Sequence, residues 1–365
     1  MTPNAIHVAV IGCGRIAGHH CRSIAGMPGV KLAAVCDLVP EKAKAYGDEF
    51  AVPFYTDYRK LLTQHPEISV VAVITPSGMH HEHALEMIER WGKHVVVEKP
   101  TFMKPSQLTD AYARAAKAGV QLFPVFQNRH NLAVKRVKKA IDSGELGEIR
   151  IIAVRTRWCR PQRYYDMAPW RGTFAQDGGC LTNQGIHHVD LLRHLGGEVK
   201  RVSATMRTLG AKIEVEDTVV ATITYGDSKV GTLEVTTAAR PIDYEASLSI
   251  VGSEGLAQIG GIAVNELQVF TPDPSACAAN SEDFSGCVYG EGHKVIYQDI
   301  AAFFNEGRPY PVTQDDAFAS IRLLNSFYRS DEANGGWIDV MDGGESTRLG
   351  RDSEELANLY RTVEA

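Results

Sequence analysis

The chain has 365 residues, 44% of them hydrophobic and 22% charged, with a formal net charge of −6. That balance supplies a sizeable core, excludes a disordered chain and argues against a general affinity for nucleic acid, leaving only local basic patches open. No apolar run approaches the roughly 20 residues that span a bilayer, and the start "MTPNAIHVAVIGCG" carries neither a basic region nor an apolar targeting core, so a cytoplasmic protein with no membrane association is expected. The 7 cysteines include no CxxC pair, which indicates neither a zinc site nor a disulfide framework.

From the N-terminus, apolar runs alternate with helical patterns. The runs are "IHVAVIG" (6–12), "KLAAVCD" (31–37), "SVVAVIT" (69–75), "HVVVEKP" (94–100) and "VQLFPVFQ" (120–127). Helices are predicted between them, over 80–91 and over 106–118, the latter stopped by Gly119. Alternation of this kind predicts an α/β domain with a doubly wound parallel sheet over 1–125. Beyond about residue 145 strands follow one another ("EIRIIAVRTRW", "VVATITY", "KVGTLEVTTAA", "ASLSIVG"), which predicts an α+β domain over 126–340 with a large, mostly antiparallel sheet. Amphipathic patterns near 293–305 and 315–329 are expected to close that second domain, and 341–365 reads as a polar tail with little fold information.

"VIGCGRIA" places Gly12, Gly14 and Ala17 in a GxGxxA pattern between the first strand and a helix, with Arg15 and Ile16 inside the turn. Such a turn lets a pyrophosphate approach backbone N–H groups at the positive end of a helix. Asp37 ends the second strand, where a carboxylate accepts hydrogen bonds from an adenosine ribose and repels a 2′-phosphate, so NAD is expected over NADP. Taken alone, the glycines could serve packing and Asp37 could cap the loop before Pro40.

"HVVVEKP" ends a buried strand in Glu98 and Lys99, charges that are costly there unless they serve a ligand beyond the strand end. Pro100 ends the strand and restricts Lys99 to extended geometry. The segment "GGCLTNQGIHHVDLLRHLG" (178–196) predicts a glycine-rich turn followed by one helix carrying Asn183, His187, His188 and Asp190, with Asn183 and His187 on one face. A histidine of near-neutral pKa can take a proton from a hydroxyl while a nicotinamide takes the hydride. The cluster "HHEH" (80–83) is not read as a metal site: Glu82 and His83 are expected on the helix surface, and no metal is expected.

The GxGxxA turn, "TPSGMHHEHA" (75–84), "GKHVVVEKP" (92–100) and the GGxxxxxGxHxxD pattern of 178–190 follow the order and spacing of the family named for glucose-fructose oxidoreductase, inositol dehydrogenase and a rhizopine-catabolism protein, and the chain is similar to it over nearly its whole length. The resemblance implies that Lys99 and His187 are the catalytic pair, and that Thr75, Ser77, His80, Glu98, Lys99 and Gln127 line the cofactor with the glycine turn and Asp37. It also implies a homo-oligomer, a tetramer or dimer built on the second-domain sheet. Many members have an aspartate where this chain has Asn183, and asparagine orients a hydroxyl but takes no proton. The neighbouring Asn183–Gln184 pair, "RPQRYYDMAPWRGTFAQDGG" and "LSIVGSEGLAQIGGIAVNEL" resemble the branch that oxidises UDP-N-acetylglucosaminuronic acid at C3 toward diacetylated mannuronic acid sugars of bacterial surface polysaccharides.

"RTRWCRPQRYYDMAPWR" (155–171) holds Arg155, Arg157, Arg160, Arg163 and Arg171 in a chain of negative net charge. Guanidinium groups pair bidentately with carboxylate and phosphate, both present in a nucleotide-sugar acid. Arg160, Tyr164, Tyr165, Asn183, Gln184, His187, His188 and Lys99 are therefore expected to contact the substrate. The bland reading of the arginines is a charged edge strand. Two other functions remain open: oxidation of a free polyol or sugar, and a non-catalytic NAD(H)-binding regulator on the same scaffold.

Overall fold

The computed structural model describes residues 5–226, 228–284 and 289–362. The chain divides into two compact units, the first made of 1–125, 293–318 and 352–365, the second of 126–292 and 319–351.

The first unit is built on six parallel strands: β1 (Ile6–Ile11), β2 (Val30–Cys36), β3 (Phe54–Tyr55), β4 (Val70–Val73), β5 (His94–Val97) and β6 (Leu122–Pro124). β4 is buried at every position and β5 at all but His94, which is why these strands read as apolar runs rich in valine. Their order is β3-β2-β1-β4-β5-β6. The direction of winding reverses between β1 and β4, opening a crevice at their carboxyl ends. Gly12 follows β1 there with φ +96°, and a Cβ on it would lie 2.4 Å from the Ile74 carbonyl oxygen, so only glycine fits.

The second unit is built on an eight-stranded sheet. Its strands are β7 (Ile149–Arg157), β8 (Arg201–Arg207), β9 (Thr218–Thr224), β10 (Val230–Thr236), β11 (Glu245–Gly252), β12 (Leu256–Gly260), β13 (Glu266–Phe270) and β14 (Ile338–Asp339). The order is β13-β12-β11-β7-β10-β9-β8-β14, with β7 and β10 parallel and every other pair antiparallel. Ile152, Val154 and Thr156 of β7 are buried while Ile151 and Arg155, on the alternate positions, are exposed, the pattern of a sheet with one covered face. The helix Ile186–Gly196 packs on β7 and is almost wholly buried.

Three expectations change. The late helix Gly292–Glu306, expected in the second domain, belongs to the first unit from His293 onward: Ile296, Tyr297 and Ile300 are buried, and His293 and Tyr297 bond to residues of the first unit. Amphipathicity marks a face to be covered without naming the sheet that covers it. The segment after residue 340 is part of the fold. Leu349 is buried, the buried Ser346 takes hydrogen bonds from the Arg348 and Leu349 amides, and Arg361 grips Glu82 with two bonds of 2.7 Å. It is held by polar contacts, which composition does not flag. Finally, 178–196 is two helices, Gly179–Asn183 and Ile186–Gly196. The Cys180 carbonyl accepts from both the Gln184 and Gly185 amides, at 3.0 and 2.8 Å, and this wide turn ends the first helix. Asn183 and His187 therefore do not share one helical face.

Candidate active site

In the first unit the glycine turn and the end of β2 are joined. One oxygen of Asp37 accepts the Cys13 amide at 2.7 Å and the other the Val39 amide at 2.8 Å, which fixes the carboxylate beside the turn. Gly14 and Arg15 are exposed ahead of the helix Ala17–Ala25, with Ile16 half-buried at its cap. A Cβ on Gly14 would meet no protein atom within 4 Å, so glycine here serves no packing within the unit and leaves room for a ligand to reach the backbone. Open space over Gly14 and a fixed carboxylate beyond β2 fit a dinucleotide with an unphosphorylated ribose.

Thr75 follows β4, and its hydroxyl lies 2.9 Å from Nδ1 of His83. Ser77 is buried in the short turn Ser77–Met79. The ring of His80 is buried between two carbonyl oxygens, Pro100 at 2.8 Å and Thr75 at 2.9 Å, so it braces the ends of β4 and β5. His83, expected on the surface, is buried against Tyr58, and burial pushes its pKa down to about 4. The members of "HHEH" face different ways: His81 meets Asp110 at 3.2 Å and Glu82 meets Arg361.

Beyond β5, Lys99 is half-buried and Glu98 is buried. One oxygen of Glu98 lies 3.0 Å from His20 Nε2 and 3.2 Å from His293 Nε2, and the other accepts the Lys99 amide at 2.9 Å. Burial opposes ionisation of Glu98, but the hydrogen bonds from the two histidines hold its pKa well below the usual carboxylate range. His20 is pushed down by burial, against the pull of Glu98, and its Nδ1 lies 2.8 Å from the Tyr297 hydroxyl. A neutral ring that donates from Nε2 and accepts the tyrosine proton at Nδ1 satisfies every partner. His20, Glu98 and His293 form the one group of three among the described residues whose ligand atoms lie within 4.8 Å of one another. No spacing rule links positions so far apart, so Glu98 was legible in the sequence while its two histidine partners were not.

In the second unit, His187 is buried with Nε2 3.0 Å from the Gln127 side-chain nitrogen. With the amide as donor, Nε2 holds the lone pair that can take a proton. Gln127, expected at the cofactor, thus contacts His187. Asp190 holds this helix in place: it accepts two bonds from Arg129, at 2.7 and 2.6 Å, and one from Ser320 at 2.8 Å, all buried.

The expected substrate residues Arg160, Tyr164, Asn183 and Gln184 meet in one network. Arg171 donates to the Tyr164 hydroxyl at 2.6 Å, and the Gln184 side-chain nitrogen donates to the same hydroxyl at 3.0 Å and to the Asn183 side-chain oxygen at 2.9 Å. Arg160 reaches Gln184 at 3.4 Å while its main bond, at 2.7 Å, goes to Asp243. Asn183 donates to the buried Asp177, whose other oxygen accepts the Gly172 amide at 2.7 Å. A carboxylate therefore stands behind the asparagine, six residues upstream of it.

Other expected contacts go elsewhere. His188 faces the sheet: Nδ1 lies 3.0 Å from the Thr156 hydroxyl, the ring is fully buried, and burial takes its pKa to about 4. Tyr165 is also buried, its hydroxyl 3.0 Å from that of Thr237. Arg155 and Arg157 project from the exposed face of β7 and pair with Glu245 and with Glu234 and Glu245, respectively, so these two take the charged-strand reading. Arg163 is exposed, and Arg171 lies over the Tyr164 and Trp170 rings at 4.3 and 4.5 Å. The sequence also gave no hint of Glu216, a buried acid beneath the Gly178–Gly179 turn, whose pKa burial pushes up to about 8.

A Rossmann unit with an open glycine turn, a lysine at a strand end and a histidine on a buried helix define an NAD-dependent oxidoreductase. Residues 6–126 match the oxidoreductase family with an NAD-binding Rossmann fold, GFO/IDH/MocA, and residues 134–258 match the GFO/IDH/MocA C-terminal domain. The chain belongs to this GFO/IDH/MocA oxidoreductase family. It is similar to the WlbA dehydrogenase from Bordetella pertussis, solved in complex with NADH and UDP-GlcNAcA, at 34% identity and a TM-score of 0.86, covering 93% of this chain and 99% of that one. The WlbA dehydrogenase from Chromobacterium violaceum, in complex with the same two molecules, gives 33% identity and a TM-score of 0.84 over 93% of this chain and 97% of its own. The scyllo-inositol 2-dehydrogenase (NAD(+)) of Bacillus subtilis is 24% identical over 332 residues, 88% of this chain and 94% of that protein. No helix among the described residues is long and apolar enough to cross a membrane.

Proposed function

We propose that this protein oxidises the C3 hydroxyl of UDP-N-acetylglucosaminuronic acid to the 3-keto sugar with NAD, as a cytoplasmic step toward a bacterial surface polysaccharide. The observation that carries the reading is the Arg171–Tyr164–Gln184–Asn183 network of the second unit. Among the described residues Arg171 meets no carboxylate within ion-pair distance, so its charge is available to an anion, while Tyr164 and Trp170 offer flat surfaces to a base or sugar. The likeness to two dehydrogenases solved with UDP-GlcNAcA supports the same substrate class.

Gly12, Gly14, Arg15, Ile16 and Asp37 hold the dinucleotide, and Thr75, Ser77, Glu98 and Lys99 shape the strand ends beyond it. NAD, when bound, accepts the hydride from the carbon being oxidised. His187 takes the hydroxyl proton at Nε2, the nitrogen turned toward Gln127. Lys99 supplies positive charge to the developing alkoxide. Asn183, fixed by Asp177, orients the sugar without accepting a proton. The exposed face of the second sheet, with Ile151, Val220 and Val230, serves as the contact of a dimer or tetramer.

The test is NADH formation across a panel of nucleotide sugars and polyols. UDP-N-acetylglucosaminuronic acid is expected to react, and UDP-N-acetylglucosamine, which lacks the carboxylate, to have a kcat/KM at least about tenfold lower, the worth of one charge-assisted hydrogen bond. Arg171→Ala and Arg160→Ala should raise KM for the sugar acid more than they lower kcat, with Arg160 the weaker of the two because Asp243 already pairs it. Inositol or an unmodified hexose turning over faster than the sugar acid would replace this reading with a polyol dehydrogenase.

A further inference from the structure

Glu98 presents a physical problem that the proposed chemistry does not explain. A carboxylate 4% exposed at the end of a central strand is held ionised by neighbours from two other parts of the chain, where an apolar residue would be cheaper. His20 comes from the helix after the glycine turn and His293 from the late helix, which also supplies Tyr297. Each is nearly or fully buried. The distances are those of ordinary hydrogen bonds: 3.0 and 3.2 Å from the two Nε2 atoms to one oxygen, and 2.8 Å from Tyr297 to His20.

The remaining oxygen of Glu98 shows what the arrangement serves. It accepts the backbone N–H of Lys99 at 2.9 Å, one residue beyond the point where the Glu98 amide makes its own bond to the Val73 carbonyl. On the other side of Lys99, the Pro100 carbonyl lies 2.8 Å from the buried ring of His80. The backbone on both sides of the lysine is therefore tied to buried side chains at the point where β5 has ended.

We infer that His20, His293 and Tyr297 are positioning residues for Lys99, acting through the Glu98 carboxylate. They set the direction in which the lysine side chain leaves the strand and need not touch a substrate. The geometry also ties the lysine to the helix that follows the glycine turn, since His20 sits on that helix. This rests on the reading of Lys99 as a catalytic group, and the experiment separates failure of one from failure of the other.

The variants are Glu98→Gln, His293→Gln and Tyr297→Phe, the last removing only the hydroxyl bonded to His20; an unchanged circular dichroism spectrum and a cooperative melt show that each is folded. In the first arm, lysines are reductively ¹³C-methylated and the Lys99 resonance is assigned by its loss in Lys99→Ala. It is expected to move in all three variants, most in Glu98→Gln, with no substrate required. In the second arm, kcat for the sugar acid should fall about tenfold in His293→Gln with KM for NAD unchanged, yet change less than about twofold when the same substitution is made in Lys99→Ala, because coupled residues are non-additive. An unmoved Lys99 resonance overturns the inference, as does an equal loss of kcat in both backgrounds. So does a stoichiometric metal ion in the purified protein whose removal by a chelator reproduces the variants, since the trio would then be a metal site. A resonance that moves in a protein inert toward every sugar supports the positioning role and removes only the proposed reaction.

Discussion

The two units anchor their functional side chains by different means. In the first, charged groups are set by backbone and by buried rings: Asp37 by the amides of Cys13 and Val39, and Glu98 by His20, His293 and the Lys99 amide. In the second, long polar side chains hold one another at half-buried positions, as in the chain from Arg171 through Tyr164 and Gln184 to Asn183. The first arrangement tolerates little variation, since a donor fixed in the backbone accepts only one kind of partner at one distance. The second can be rebuilt by exchanging side chains on loops. That division suits an enzyme class in which the dinucleotide is constant and the sugar varies.

The sharpest way to break the comparison is to remove one proposed catalytic group from each unit. Lys99→Ala and His187→Ala should each lower kcat by at least about 100-fold while NAD affinity stays nearly unchanged, because both are proposed to act on the reacting hydroxyl. Single-turnover kinetics with a NADH binding titration would check this. Near-normal rates in both variants would remove them from the chemistry, and a loss of NAD affinity in Lys99→Ala alone would make the lysine a cofactor ligand.

A smaller effect sharpens the first unit's side. Asp37→Ala should raise KM for NAD by roughly tenfold and relax discrimination against NADP, since the proposed role of the carboxylate is to accept hydrogen bonds from one ribose and repel the 2′-phosphate of the other. Steady-state kinetics with both cofactors decide it. A wild-type protein that already prefers NADP would show that the carboxylate, although fixed beside the glycine turn, does not read the ribose.

These expectations also show what was legible in the sequence. Gly12 could be read because its position demands positive φ and no Cβ, and the parallel sheet because strands buried on both faces become valine runs. Lys99 was legible as a charge where a buried strand should have none. His188 was misplaced because adjacent histidines on a helix point in different directions, and only the position of β7 shows that one of them meets Thr156. Arg155 and Arg157 were pooled with Arg160 and Arg171, since only strand pairing reveals Glu234 and Glu245 beside the first two. His293 lies 195 positions from the carboxylate it bonds, a separation at which no periodicity operates.

The second unit also buries ionisable groups beneath that network, at the Arg129–Asp190 pair and at Glu216, and Glu216 gives the smallest effect. Glu216 lies under the Gly178–Gly179 turn; one oxygen accepts the Leu181 amide at 3.1 Å and the Tyr328 hydroxyl at 2.7 Å, while burial lifts its pKa from 4.5 to about 8. The folded pKa is raised, so the unfolded chain releases this proton first as pH rises. The stability gained from the neutral buried form is thus fully present below about 4.5 and is lost as pH climbs through about 8. Glu216→Gln keeps the acceptor oxygen and cannot ionise. Its Tm should therefore fall less than the wild type's between mildly acid and mildly alkaline pH, and stand a few degrees above it at the alkaline end. Calorimetry of both proteins across that range is the check, and parallel Tm profiles would mean that Glu216 is already ionised in the folded protein and that Tyr328 and the Leu181 amide suffice to hold the anion.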